Sequence, residues 1–221
     1  MTLFDHIKYL ILENGFSEQD FCTRFGVNAI SELPLVRIAE IAKQLRTTEQ
    51  RLLFSPATRK PFPTDIKLLI LDVDGVMTDG GMYFSDNGEQ LKKFNTKDGM
   101  GIIHLTRNHF QVGIISSGFK GEMVKTRAEM LGIQHFYLGR GQKLDVLNEW
   151  CSALHISLSQ VAMIGDDVND LAVMRAVGYT ASPSDAVSSV LSQVDCILRT
   201  KGGEGCIREF IEEVMGIDVQ Y

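Results

Sequence analysis

A chain of 221 residues, 44% hydrophobic and 23% charged, has the composition of a globular protein, and room for one large domain or one of about 150 residues with a small companion. Its formal net charge of -6 argues against nucleic acid or an acidic membrane as main partners, and no apolar run approaches the roughly 18–20 residues of a membrane helix. The opening MTLFDHIKYL lacks the basic-then-apolar form of a signal peptide. Cys22, Cys151, Cys196 and Cys206 are scattered without a CxxC, which reads as reduced thiols in a cytoplasmic protein.

In chain order, LFDHIKYLILENG has helical spacing and stops at Asn14-Gly15, and Ser17 opens SEQDFCTRFGV with Asp20 three residues on, a weak capping box. The run LPLVRIAEIAKQL follows, and Thr47 or Thr48 can cap EQRLLF. Residues 1–58 thus read as a small all-helical module. FSPATRKPFPTD, residues 54–65, carries three prolines and reads as a linker. Residues 65–221 then alternate. IKLLILDVD is a strand, and residues 81–95 form a hairpin around Asp86-Asn87-Gly88, where Asn-Gly suits a type I′ turn. DGMGIIHLTRN is helical, QVGIISS a strand, KGEMVKTRAEMLG a helix and HFYLG a strand. QKLDVLNEWCSALHI (helix), VAMIGDD (strand) and NDLAVMRAVG (helix) come next. GYTASP and DCILRT are short strands flanking the helical SDAVSSVLSQ, and GCIREFIEEVMG closes the chain as a helix. Strands alternating with helices give an α/β fold, a Rossmann-like parallel sheet with helices on both faces and a β-hairpin flap.

Three of those strands end in polar chemistry: ILDVDG, GIISSG and AMIGDDVND. In a parallel sheet these carboxyl ends lie side by side and line the ligand crevice. Asp72, Asp74, Ser116, Ser117, Asp166, Asp167 and Asp170 are then brought together. Crowded carboxylates repel unless a cation or proton lies between them, and a hard, oxygen-seeking ion such as Mg²⁺ suits them. His104, His109, His135 and Trp150 read as surface or packing residues.

DVDGV after a strand, a serine at a second strand end, a lysine, and GDDVND at a later strand end resemble the haloacid dehalogenase superfamily of phosphatases over residues 65–216. The resemblance implies that Asp72 is the nucleophile and Asp74 the general acid/base. It also implies that Asp72, the Asp74 carbonyl and Asp166 ligate Mg²⁺, with Asp167 and Asp170 behind them. Lys143 matches the lysine that holds the phosphate and keeps Asp72 ionised. Ser117, followed by Gly118, best fits the serine that binds the phosphoryl group, with Ser116 the alternative.

Residues 75–115 between the first two motifs leave no room for a cap beyond the hairpin. With FNTKDGMGI, VKTRAEMLGI and KGGEGCIREF, the chain resembles the capless branch, which acts on 3-deoxy-D-manno-octulosonate 8-phosphate or on nonulosonate 9-phosphates such as those of acylneuraminate and KDN. That branch implies a small-molecule sugar-acid phosphate as substrate, a role in lipopolysaccharide biosynthesis and a homotetramer, with each site closed by a neighbour's hairpin and C-terminal segment. Asn95, Lys97, Asp98 and Arg127 become candidate substrate contacts, and Gly202 and Gly203 belong to the closing tail. In SSGFK, Phe119 stands where the octulosonate branch carries a substrate-holding arginine, and neighbouring Lys120 offers only a point charge. Residues 1–58 resemble a truncated phage-repressor-type helix-turn-helix. Only NAISE is available for the recognition helix, and acids and bases nearly balance, so the module is expected to pack or assemble rather than read DNA. A regulator or scaffold that keeps a phosphatase-like sensor domain is the alternative.

Overall fold

The computed structural model describes residues 3–45, 49, 52, 60–87, 90–118 and 121–220. Six strands form one parallel sheet: β1 (Leu68–Leu71), β4 (Gln111–Ser116), β5 (His135–Leu138), β6 (Val161–Ile164), β7 (Tyr179–Ser182) and β8 (Cys196–Ile197), in the order β5-β4-β1-β6-β7-β8. In β1, Leu69 and Leu71 enter one core while Leu68 and Ile70 enter the other, because side chains alternate along a strand. The first core is covered by α4 (Thr96–Arg107), α5 (Glu122–Met130) and α9 (Cys206–Glu209). The second lies under α6 (Lys143–Leu154), α7 (Leu171–Met174) and α8 (Ser188–Leu191). Burial on both faces is why these strands read as continuous apolar runs. The chain leaves β1 towards β4 on one side and later returns as β6 on the other, so the crevice lies at the carboxyl ends of β1, β4 and β6.

The N-terminal helices α1 (Leu3–Glu13), α2 (Glu18–Arg24) and α3 (Ile38–Gln44) close over their own core of Ile7, Leu10, Phe21, Phe25, Ile41 and Leu45. Ser17 caps α2, accepting from the Asp20 amide at 3.0 Å. Between α2 and α3, Ile30–Glu32 and Leu35–Arg37 each wind as a 3-10 turn. The expected Thr47 or Thr48 cap and residues 54–59 of the linker lie outside the described residues. Residues 60–65 pack on the sheet unit: Tyr179 donates to the Lys60 carbonyl at 3.0 Å, and the Phe62 ring meets Tyr179 and Phe210 edge-on at 5.1 and 5.7 Å.

The hairpin forms from β2 (Tyr83–Phe84) and β3 (Gln90–Leu91), antiparallel. Tyr83 pairs with Leu91 and Phe84 with Gln90, a register centred on Asn87 as expected; a two-residue Asn87-Gly88 turn would be centred between 87 and 88, and Gly88 itself lies outside the described residues.

Candidate active site

Asp72 directly follows β1, and its amide still donates to the Ile164 carbonyl of β6 at 3.1 Å, which holds the residue at the sheet edge. Val73–Met77 then makes one wide turn, broken by an extended Asp74 and by Gly75 at φ +87°. Glycine is required there twice over. The positive φ disfavours any side chain, and a Cβ would stand 2.0 Å from Asp166 Oδ2. The Gly202-Gly203 segment braces the turn from the other side. A Cβ on Gly202 would meet the Gly75 carbonyl at 1.9 Å, and the Gly203 amide donates to the Val76 carbonyl at 2.9 Å. These two glycines, expected in a tail closing a neighbour's site, are packed against the turn of their own chain.

Lys143 opens α6 and is buried, with Nζ donating to Asp72 Oδ1 and Asp170 Oδ1, each at 2.7 Å. Asp170, fully buried, also accepts from the Asp166 amide at 3.1 Å. Oxygens of Asp72, Asp166 and Asp170 lie within 4.8 Å of one another, and buried Asp166 Oδ1 has no hydrogen-bond partner among the described residues. Burial, then the charge of Asp170, raises Asp72 to about 7 even though Lys143 opposes them. Burial, then Asp72, Asp170 and Asp167, raises Asp166 to about 8. For Lys143 burial acts downward, but Asp72 and Asp170 outweigh it and its affinity for its proton rises. Three carboxylates against one ammonium leave a formal charge of -2, and the orphaned Asp166 oxygen faces it. This donor set fits a hard divalent cation.

Ser116, buried, and Ser117, exposed, line the 220 Å³ cleft with Asp72, Asp74, Asp166 and Asp167. Asp167 accepts from the Val168 amide at 2.7 Å, capping the turn that carries Asp170. Gly118 lines an adjoining 250 Å³ cavity, while Phe119 and Lys120 lie outside the described residues. The remaining candidates fall elsewhere in this chain. Asn95 caps α4 through the Lys97 amide at 2.8 Å and donates to the Gly203 carbonyl at 3.2 Å, with Lys97 exposed beside it. Asp98 does not line the cleft. It is buried under α9, accepting from the Arg208 amide at 2.7 Å, and burial lifts its pKa to about 6 against the pull of those amides. Arg127 lies over the Phe94 ring at 5.7 Å and against Gly99, so it joins α5 to α4. Asp98 and Arg127 thus take part in helix packing, while Asp98 Oδ2 and Arg127 Nε, both buried, have no hydrogen-bond partner among the described residues.

Three residues went unread. Lys92 pairs with Asp74, the Thr78 hydroxyl stands 3.2 Å from the Val73 carbonyl and 3.4 Å from Asp74 Oδ1, and Asn169 lines the cleft. The signal for Lys92 was there: strand alternation sets Gln90 and Lys92 on one hairpin face, away from Leu91.

An aspartate at a strand end, a buried lysine shared by two aspartates and a carboxylate nest at a parallel sheet edge suit a phosphoryl-transfer type of site. The chain belongs to the haloacid dehalogenase-like hydrolase family. A family model of that description matches residues 115–210. The 3-deoxy-D-manno-octulosonate 8-phosphate phosphatase of Yersinia pestis is 41% identical over 151 residues, covering 68% of this chain and 80% of that protein. A crystal structure of the Yersinia pestis phosphatase superposes with a TM-score of 0.66, covering 68% of this chain and 81% of the other at 41% identity. The Moraxella catarrhalis phosphatase, solved with a magnesium ion, a phosphate ion and KDO, gives 0.66 at 35% identity over 69% of this chain and 87% of that one.

Proposed function

We propose that this chain is a Mg²⁺-dependent phosphomonoesterase that hydrolyses a phosphorylated keto sugar acid of the 3-deoxy-D-manno-octulosonate 8-phosphate type through an aspartyl-phosphate on Asp72. The observation that carries the reading is Lys143 held at 2.7 Å from both Asp72 and Asp170, beside the unpartnered Asp166 Oδ1. Asp72, the Asp74 carbonyl and Asp166 would hold Mg²⁺, with Asp167 and Asp170 supporting them. When bound, Mg²⁺ supplies the positive charge that offsets repulsion between the Asp72 carboxylate and the phosphate.

Asp72 attacks phosphorus, so its O–P bond forms while the ester P–O bond breaks, and Asp74 delivers a proton to the departing oxygen. Asp74, now a carboxylate, takes a proton from the water that attacks the aspartyl-phosphate. Inorganic phosphate leaves and Asp72 is regenerated. Ser117, or Ser116 beside it, donates to the phosphoryl oxygens, and Lys143 keeps Asp72 anionic. The test is phosphate release, with Mg²⁺, from octulosonate 8-phosphate, nonulosonate 9-phosphates and common sugar phosphates. Asp72→Asn should lower release by about 10⁴-fold or more, and full activity of that variant would refute the reading. Preference for a nonulosonate 9-phosphate is the second reading, favoured by Phe119 in place of the branch's arginine.

The same reading takes residues 1–58 as a separate helical packing module and 65–221 as the phosphatase domain, in a cytoplasmic homotetramer that serves lipopolysaccharide precursor synthesis. Exposed Met82, Tyr83, Phe84 and Leu91 on the hairpin support assembly with further copies of this chain. Only two short 3-10 turns stand between α2 and α3, which supports a module that does not bind DNA. A salt-sensitive mobility shift with duplex DNA would overturn that part.

A further inference from the structure

We propose that Lys92 is a positioning residue for Asp74, fixing one carboxyl oxygen so that the proton to be delivered stands on the other. The proposal rests on the phosphatase reading above. Lys92 follows β3 on the face shared with Gln90, and both line the 250 Å³ cavity that also takes in Asp74, Ser116, Ser117 and Gly118. Its side chain is only 12% exposed, whereas that of neighbouring Lys93, turned outward to Asp79, is 61% exposed. Burying an ammonium is costly unless it is paired, and the partner Lys92 meets among the described residues is Asp74 Oδ1. Thr78 Oγ1 lies 3.4 Å from Oδ1 but nearer, at 3.2 Å, to the Val73 carbonyl that takes its one proton, while Oδ2 accepts nothing among the described residues.

The Asp74 side chain is 41% exposed, so without a tether it would sample several rotamers. The Lys92 ammonium on Oδ1 leaves Oδ2 as the oxygen that carries the acid proton. During phosphoryl transfer the Asp72–P bond forms, the ester P–O bond breaks, and the Oδ2 proton moves to the leaving oxygen. The need for that proton grows with the basicity of the leaving group. An alkoxide must receive it, and a nitrophenolate departs with little help.

The readout is therefore kcat/KM, which reports steps up to ester cleavage and excludes hydrolysis of the aspartyl-phosphate. It is measured with Mg²⁺ on a series of aryl phosphates from p-nitrophenyl to unsubstituted phenyl, and on octulosonate 8-phosphate. Lys92→Met is expected to lose about 10- to 100-fold on the basic leaving groups and several-fold less on p-nitrophenyl phosphate, steepening the dependence on leaving-group basicity. Lys92→Arg, which keeps a cationic donor, is expected to restore most of the loss. A Lys92→Met loss of equal factor across the series, or no loss at all, would overturn the proposal while leaving the phosphatase reading intact. Wild-type protein silent on every phosphate would sink both.

Discussion

The strand-end site and the hairpin above it are built by opposite means. At the ends of β1 and β6, Asp72, Asp170 and Lys143 are buried, and glycines let backbone and carboxylates approach within van der Waals limits. The hairpin is two short strands whose Met82, Tyr83, Phe84 and Leu91 are all exposed. These charged groups thus stand in the buried sheet core, where a low dielectric strengthens every charge interaction. Under the proposed function, leaving-group contacts and assembly would fall to this exposed hairpin. The contrast implies that changes at the strand ends cost stability and chemistry together, whereas hairpin changes alter selectivity or association with little loss of fold.

Four experiments break or sharpen that contrast. Lys143→Met strands two buried carboxylates, and urea unfolding of metal-free protein at pH 8 should show a loss of about 3–5 kcal/mol. At pH 6 the loss should be smaller, because Asp72 and Asp166 then bind protons in place of the missing cation. An equal loss at both pH values would refute the electrostatic account.

Mg²⁺ should stabilise wild-type protein in a pH-dependent manner. Asp72 and Asp166 bind protons more tightly when folded, near 7 and 8 against an ordinary 3.8, so the metal-free fold loses stability as pH rises across that window. A divalent ion at about a hundred times its Kd adds about 2.7 kcal/mol, roughly 5–10 °C in Tm for a chain of this size. The thermal shift at fixed Mg²⁺ should be larger at pH 8 than at pH 6, and a shift independent of pH would count against these carboxylates as ligands.

Gly75→Ala should cost about 1–3 kcal/mol through its positive φ, and should weaken Mg²⁺ binding in calorimetry because the new methyl displaces Asp166. Retained affinity would separate Asp166 from the metal. Smallest in stability, Tyr83→Ser with Leu91→Ser, a cross-strand pair, should change unfolding of the chain by under about 0.5 kcal/mol per site while lowering the mass seen by light scattering. An unchanged mass would remove the hairpin from the assembly.

The sequence by itself determined the sheet and the place of Asp72 at its edge. Apolar runs of strand length ending in DVDG, ISSG and IGDD are local patterns, and a parallel sheet leaves those ends nowhere to go but one edge. Motif resemblance also reached Lys143, which no spacing argument from residue 72 to residue 143 could supply. Tertiary structure alone decided the rest, because side chains of one sequence stretch can face several neighbours. FNTKDGMGI and VKTRAEMLGI do not say where Asp98 and Arg127 stand; the packing of α4 on α5 and α9 sets Asp98 against the Arg208 amide and Arg127 over the Phe94 ring. Lys92 looks like one of two surface lysines until the hairpin register points it at Asp74 and Lys93 at Asp79. Local patterns set which groups are present at the edge of the sheet. Which of them meet is settled by competition for partners in a closed volume, and that competition is non-local.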